Sequence, residues 1–177
     1  MFGSRNHIVL IGFMGSGKTT VGALLANALE LPFIDLDVLI VEKEGMSISS
    51  IFAEKGEPYF RKIEHKLLLQ SLTKNRPSVI STGGGAPCFH NGINLINEYG
   101  LSFYLKIGRQ AILDRIMGDS ERPLVIGKTK VQLMKFIDGS LRTREAYYQR
   151  ADRVVRAFRT PEKIVDRILN LLNKFKK

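Results

Sequence analysis

The segment HIVLIGFMGSGKT, residues 7–19, is the most informative part of the sequence about the fold. Its first part, His7–Ile11, is an apolar run with the length of a buried strand. Its second part, Gly12–Thr19, fits the pattern G-x-x-x-x-G-K-[ST]. Apolar residues then recur at helical spacing through Thr19–Leu29. A strand, a glycine-rich turn and a helix in this order predict a loop that binds the phosphates of a nucleotide.

The residue types in this loop suit ATP with Mg²⁺. Glycines allow a tight turn and let backbone N–H groups approach phosphate oxygens. Lys18 supplies a mobile cation for the β and γ phosphates, and the Thr19 hydroxyl is suited to coordinate Mg²⁺. The chain has no Asn-Lys-x-Asp motif, which argues against a GTPase. The predicted nucleotide-binding residues of this segment are Gly12, Gly15, Ser16, Gly17, Lys18, Thr19 and Thr20.

Strand and helix patterns alternate along the rest of the chain. This alternation predicts a P-loop NTPase fold of the α/β class, a three-layer α/β/α sandwich with a central parallel sheet. We expect one domain over residues 1–177, with a mobile lid at about 118–128, where a proline and two glycines interrupt the pattern. The further predicted strands are Leu31–Asp35, Ser78–Ser81, Leu101–Lys106 and Val154–Val155. The further predicted helices are Val38–Glu44, Ser47–Lys55, Glu57–Leu72, Gly92–Glu98, Arg109–Met117, Thr129–Arg150 and one that begins at Thr160-Pro161.

Composition narrows the function classes. The single cysteine excludes an intramolecular disulfide, and no apolar run has the length of a membrane span. We therefore expect a cytoplasmic monomer without a membrane partner. The net charge of +10 is compatible with a nucleic-acid-binding module, but the basic residues are spread along the chain and no aromatic-interleaved RNA-binding signature is present. A basic surface with a site for anionic small molecules is favoured, and no nucleic-acid partner is predicted.

Two carboxylates follow the second predicted strand, in Asp35-Leu36-Asp37. Ligands of open parallel sheets bind at the carboxyl ends of the strands. One carboxylate at this position can hold Mg²⁺, and the other can orient an acceptor hydroxyl for attack on the γ phosphate. The alternative is structural, because either aspartate could cap the helix predicted over Val38–Glu44. The pattern itself leaves both interpretations open.

Arginines and glycines supply the remaining candidates. Arg61 and Glu64 are three residues apart on a predicted helix, so Glu64 can hold the Arg61 guanidinium for a carboxylate ligand or form only a surface ion pair. Gly83-Gly84-Gly85 follows a predicted strand, where glycines allow close approach of the backbone to a ligand.

The segment after Lys106 is rich in arginine. Arg122, in the predicted lid, can close over the phosphates or be an ordinary solvated side chain. Arg115 can stack on adenine, with Pro161 as the opposite wall. A second cation for an anionic acceptor would come from one of three arginines near the end of the long helix, namely Arg142, Arg144 and Arg150.

Taken together and in this order, these features resemble the shikimate kinase family over nearly the whole chain. The matching stretches are Gly12–Thr19, Asp35-Leu36-Asp37, the pattern F-x-x-x-G-E-x-x-F-R-x-x-E from Phe52 to Glu64, Gly83-Gly84-Gly85, Arg122-Pro123-Leu124, and Arg-x-x-x-Tyr from Arg144 to Tyr148. The spacing from Tyr148 to Ala151 is one residue shorter than the family pattern, so Arg142 is the alternative to Arg144.

The resemblance implies an ATP-dependent phosphotransferase with an alcohol acceptor, which converts shikimate and ATP into shikimate 3-phosphate and ADP in aromatic amino acid biosynthesis. It implies that Asp37, Lys18 and Arg122 are catalytic and that residues 36–64 form a substrate-binding segment. The implied shikimate contacts are Asp37, Arg61, Gly83, Gly84, Gly85 and Arg144. The implied Mg²⁺ residues are Thr19 and Asp35, and the implied nucleotide contacts outside the loop are Arg115, Arg122 and Pro161.

Two other functions are compatible with the phosphate loop alone. The nearer one is another small-metabolite kinase, such as a gluconate or nucleoside monophosphate kinase, which lacks the combined acceptor residues around Asp37, Arg61 and Gly83. The more distant one is a non-catalytic nucleotide- or nucleic-acid-binding module, suggested by the net charge of +10.

Overall fold

The computed structural model describes residues 5–117, 125, 127–157 and 159–175. Within them, five strands form one parallel sheet: β1 (His7–Ile11), β2 (Phe33–Asp35), β3 (Val79–Ser81), β4 (Gly100–Lys106) and β5 (Arg153–Arg156). The order across the sheet is β2-β3-β1-β4-β5. Strand β1 lies at the centre and pairs in parallel with β3 on one side and β4 on the other.

Seven helices connect these strands in the described part of the chain. They are α1 (Lys18–Ala28), α2 (Leu36–Glu44), α3 (Ile48–Leu72), α4 (Gly92–Tyr99), α5 (Arg109–Ile116), α6 (Lys130–Tyr148) and α7 (Pro161–Phe175). Helix α6 begins with a capping box, in which Thr129 and Gln132 bond each other's backbone N–H groups.

The helices cover both faces of the sheet. Adjacent residues of β1 point to opposite faces, so Leu10 packs with α1 and α7 whereas Val9 packs with the other helices. Both side chains are fully buried, as expected for a central parallel strand. The predicted three-layer α/β/α sandwich with a parallel sheet is therefore confirmed.

The strand order places the sequence motifs at one edge of the sheet. Strand β3 pairs in parallel with both β1 and β2, so these three strands end at the same edge. The phosphate loop follows β1, Asp35 is the last residue of β2, and the glycine run begins just after β3. These motifs lie far apart in the sequence and close together in the fold.

Most predicted boundaries agree with the structure within two residues, and two differences have a clear cause. Helix α3 continues across the predicted break between Lys55 and Glu57, but Gly56 has non-helical backbone angles (φ 79°, ψ 166°) and kinks it there. Helix α2 begins at Leu36 rather than Val38, because the Asp35 side chain caps it. In the part of the chain that the structure describes, no helix combines the length and the hydropathy needed to span a membrane.

Candidate active site

The phosphate loop joins β1 to α1 in the conformation that its glycines permit. Gly17, just before α1, has a left-handed backbone conformation (φ 91°), which residues with a Cβ rarely adopt. The Lys18 Nζ donates to the carbonyl oxygens of Gly12 and Phe13, each at 3.0 Å. Lys18 is thus folded along the loop, with its cation beside the N-terminus of α1, where phosphate oxygens are attracted.

A cavity of about 400 Å³ opens over this loop. Its lining contains nearly all the predicted nucleotide contacts: Gly15, Ser16, Gly17, Lys18, Thr19, Thr20, Arg115 and Pro161. Gly12 does not line it but holds Lys18 through its carbonyl oxygen. The lining also includes Asp37 and Gly84 from the acceptor side. Part of the predicted acceptor side therefore shares a cavity with the phosphate loop, whereas the other predicted shikimate contacts do not line it, namely Arg61, Gly83, Gly85 and Arg144.

Five lining residues were not among the predicted site residues, namely Met14, Val21, Thr82, Arg159 and Ile164. Thr82 directly precedes the glycine run and donates its hydroxyl to the Leu10 carbonyl oxygen at 3.1 Å. Arg159 directly precedes the predicted start of α7. Its closeness in sequence to Pro161, a predicted nucleotide contact, could have indicated that it lies at the site. Ile164 is an ordinary buried position of α7, and no sequence pattern distinguishes it from the rest of the core.

Asp35 caps a helix, as one of the two interpretations of the sequence proposed, and also contacts the phosphate loop. Its Oδ1 accepts from the backbone N–H of Asp37 at 3.0 Å and so caps α2. Its Oδ2 accepts from the Thr19 hydroxyl at 2.7 Å. A hydroxyl and a carboxylate oxygen in contact beside the phosphate loop are hard oxygen donors of the kind that Mg²⁺ prefers, so these residues fit that ion. Asp37 lies in the first turn of α2 and lines the cavity.

Arg61 is held rigidly on the acceptor side. It is 6% exposed, and its Nη1 donates to Glu64 Oε2 at 2.6 Å. Its Nε and Nη2 both donate to Glu57 Oε1, at 3.1 and 3.0 Å. Glu64 holds Arg61 as the sequence predicted, whereas the contact with Glu57 was missed, although four-residue spacing on one helix was a signal for it.

Glu64 is a deeply buried carboxyl group at the floor of this site, 2% exposed. Burial raises its pKa to about 7, although the Arg61 guanidinium acts in the opposite direction. The Asp37 carboxylate raises the pKa further. Its Oε1 has no hydrogen-bond partner among the described residues. The Arg61–Glu64 pair is therefore buried in the protein and is not a surface ion pair.

The three consecutive glycines allow these groups to pack closely. A Cβ on Gly83 would overlap Glu64 Oε1 and come within 3.0 Å of Asp37 Oδ1. A Cβ on Gly85 would overlap the Arg61 guanidinium. Gly84 approaches the phosphate loop, where its Cβ would lie 3.3 Å from the Met14 backbone nitrogen. The glycine run thus brings Asp37, Glu64 and Arg61 together next to the loop.

The three arginines that were candidates for a second cation lie in different surroundings. The Arg144 guanidinium lies 5.8 Å from the ring centroid of Phe13, and its charge opposes the rise of the Glu64 pKa. Arg142 instead lines a second cavity, with Lys106 and Glu145. Arg150 donates to the Asn94 side chain at the start of α4. The geometry therefore favours Arg144 on the acceptor side.

Arg115 and Pro161 line the cavity from α5 and α7, on which the sequence placed them. Arg115 Nη1 donates to the Gly15 carbonyl oxygen at 2.9 Å, which ties α5 to the phosphate loop. Whether these two residues contact adenine stays a prediction. Arg122 lies outside the described residues, as does most of the predicted lid.

The parallel sheet, the phosphate loop after its central strand and an acceptor carboxylate in the same cavity define a small P-loop kinase. Comparison with known proteins identifies its family. Residues 14–173 match the family model described as shikimate kinase. The chain therefore belongs to the shikimate kinase family, which confirms the resemblance seen in the sequence.

Individual relatives agree over nearly full length. The shikimate kinase of Sulfurihydrogenibium sp. (strain YO3AOP1) is 39% identical over 169 residues, covering 95% of this chain and 98% of the relative. The crystal structure of the shikimate kinase from Bacteroides thetaiotaomicron has a TM-score of 0.88 at 35% identity, covering 94% of this chain and 98% of that one. The structure of the Acinetobacter baumannii shikimate kinase in complex with shikimate has a TM-score of 0.88 at 30% identity, covering 98% and 96%.

Proposed function

We propose that this chain transfers the γ-phosphoryl group of ATP to the 3-hydroxyl of shikimate, forming shikimate 3-phosphate and ADP. Family membership supports this proposal, and one observation in the structure carries it. Asp37 lines the same cavity as Lys18 and Thr19 of the phosphate loop. An acceptor hydroxyl held at Asp37 would therefore face the terminal phosphate of a nucleotide held by the loop.

The chemistry assigned to each residue follows from its position. Phosphoryl transfer depends mainly on positioning and on neutralising charge. Asp37 would accept a hydrogen bond from the 3-hydroxyl and direct its oxygen towards phosphorus. Lys18 would move from the loop carbonyl oxygens to the β and γ phosphates. Arg122, in the proposed lid at about 118–128, would close over the transferred group.

The carboxylate of shikimate requires cations on the acceptor side. Arg61 and Arg144 would bind it, and the backbone of the glycine run would lie against the ring. On the donor side, Arg115 and Pro161 would flank adenine, while the backbone N–H groups of the loop would bind the phosphates.

Mg²⁺ is the proposed cofactor, and Thr19 and Asp35 would hold it, Asp35 through a water molecule. When bound, the ion would neutralise charge on the β and γ phosphates. The contact between the Thr19 hydroxyl and Asp35 Oδ2, at 2.7 Å, supports this assignment. We also propose a single domain over residues 1–177 and a cytoplasmic monomer that acts on small molecules and not on nucleic acids or membranes.

A coupled assay of ADP release tests the proposal. The purified chain is supplied with Mg²⁺ and ATP, and then with shikimate, gluconate, AMP or CMP in parallel. Shikimate alone is expected to support turnover, because it is the only one of the four that combines a ring hydroxyl for Asp37 with a carboxylate for Arg61. Absence of ADP release with shikimate would rule the function out, and turnover with gluconate or a nucleotide would assign the chain to one of the rival kinases.

A further inference from the structure

Arg61 keeps two guanidinium donors without a partner among the described residues. A guanidinium has five N–H donors. Among the described residues, three of them are engaged: Nε and one N–H of Nη2 by Glu57 Oε1, and one N–H of Nη1 by Glu64 Oε2. One N–H remains on each terminal nitrogen, and one N–H from each of these nitrogens can bind a carboxylate in a bidentate manner.

Aromatic rings hold the plane of the same guanidinium. Its central carbon lies 4.4 Å from the ring centroid of Phe89 and 5.0 Å from that of Phe60. Stacking on aromatic rings restrains rotation of the plane, while the two glutamates restrain its edges. These contacts therefore restrain both the plane and the edges of the Arg61 guanidinium, while two of its donors stay available for a ligand.

We propose that Glu57 is a positioning residue for the acceptor substrate. It binds the Nε side of the Arg61 guanidinium and so orients the two terminal nitrogens as a fork for the substrate carboxylate. This inference rests on the proposed function, since it assigns that carboxylate to Arg61. Glu57 acts through Arg61, and Glu64 holds the opposite edge.

The position of Glu57 in helix α3 agrees with this role. Glu57 is the first residue after the kink at Gly56, so the kink sets where its side chain begins. The side chain is 46% exposed, and exposed ion pairs contribute little to the stability of a fold. A single Glu57 oxygen nevertheless contacts two Arg61 nitrogens, at 3.0 and 3.1 Å. An exposed carboxylate with this geometry orients its partner more than it stabilises the protein.

The experiment compares Glu57→Ala with Glu57→Gln, which keeps one acceptor oxygen for Arg61. The matched control is Glu54→Gln, which changes an exposed carboxylate of the same helix before the kink. In Glu57→Ala the KM for shikimate should rise by about tenfold, while the KM for ATP stays within about twofold and kcat changes little. Glu57→Gln should recover part of this loss, and Glu54→Gln should behave as the wild type.

A double-mutant cycle separates positioning from a general structural effect. Arg61→Lys has no fork to orient, so adding Glu57→Ala to it should raise the shikimate KM little further. Independent, multiplicative effects would contradict the inference, as would an unchanged or lowered shikimate KM in Glu57→Ala. Equal changes in the KM of both substrates would also contradict it. A wild-type chain without shikimate turnover would instead contradict the proposed function, and the inference would fall with it.

Discussion

At the scale of single residues, the site is built from side chains that each make two contacts. Asp35 uses one oxygen to cap α2 and the other to accept from Thr19. Arg61 donates to two glutamates, and two of its N–H donors have no partner among the described residues. Because the cap and the Thr19 contact occupy Asp35, Asp37 is the carboxylate of this pair that lines the cavity.

Replacing Asp37 tests its assignment as the residue that orients the acceptor hydroxyl. Asp37→Asn keeps the size of the side chain but loses the charge that accepts the hydroxyl proton. We expect kcat to fall by roughly 10²–10⁴, while the affinity for ATP stays near that of the wild type. Steady-state kinetics and titration with ATP measure the two effects, and an unchanged kcat would remove Asp37 from the mechanism.

The glycine run gives a second test, because its last residue lies against Arg61. A Cβ on Gly85 would overlap the guanidinium, so Gly85→Ala should displace it and raise the shikimate KM by at least about tenfold. Gly108→Ala is the control, since a Cβ there would meet no described atom within 4 Å. If both variants kept the wild-type KM for shikimate, Arg61 would not be the carboxylate contact.

Glu64 makes stability depend on pH. Its carboxyl has a pKa of about 7 in the folded state and a reference value of 4.5, because burial disfavours its charge. Between these values the folded state binds more protons than the unfolded state, so this group's contribution to stability decreases as the pH rises. Arg61, Asp37 and Arg144 are the charges that act on it.

Glu64→Gln should remove that pH dependence. The free energy of unfolding of the wild type, relative to the variant, should fall by about 3 kcal/mol between pH 4.5 and 7. Urea unfolding of both proteins across this range measures the difference. Parallel pH profiles would show that Glu64 ionises normally in the folded state.

At the scale of elements, helices α3 and α6 carry the acceptor side. The kink at Gly56 divides α3 into two segments, and the second segment carries Glu57, Arg61 and Glu64. Helix α6 presents Arg144 to the same region, and one turn later the Tyr148 hydroxyl donates to the Gly84 carbonyl oxygen at 2.5 Å. That hydrogen bond ties the end of α6 to the glycine run.

Two glycine-to-alanine changes should have opposite effects on these helices. Gly56 has φ 79° and ψ 166°, a backbone region that only glycine enters readily, so Gly56→Ala should destabilise the protein by about 1–3 kcal/mol. Gly139 lies exposed within α6, and a Cβ there would meet no described atom within 4 Å. Gly139→Ala should stabilise by about 0.5–1 kcal/mol. Thermal unfolding of both variants checks the signs, and shifts in the same direction would contradict this account of the kink.

At the scale of the whole molecule, the central strand links the core to the site. Strand β1 is buried from His7 to Ile11 and leads directly into the phosphate loop. Its alternate residues belong to the hydrophobic clusters on the two faces of the sheet. The loop is therefore anchored in the most buried part of the protein, which gives it a fixed position relative to Asp35 and Gly84.

Leu10→Ala tests this anchoring. Leu10 of β1 is fully buried against helices α1 and α7. Its truncation should lower the free energy of unfolding, measured with urea, by about 2–5 kcal/mol. If the loop keeps its structure in the variant, Mg·ADP at 100 times its Kd should restore about 2.7 kcal/mol, as it should add to the wild type. A variant that no longer responds to Mg·ADP would show that core packing at this position shapes the loop itself.

The fold class, the phosphate loop and the family were predictable from the sequence. These depend on local patterns: an apolar run before Gly12–Thr19, and strands that alternate with helices. The tertiary structure favours Arg144 over Arg142, shows that Asp35 caps α2 while it accepts from Thr19, and places Thr82 and Arg159 in the lining of the cavity. Those outcomes depend on which elements meet at one edge of the sheet, and contacts between residues distant in the chain leave no periodic pattern in the sequence.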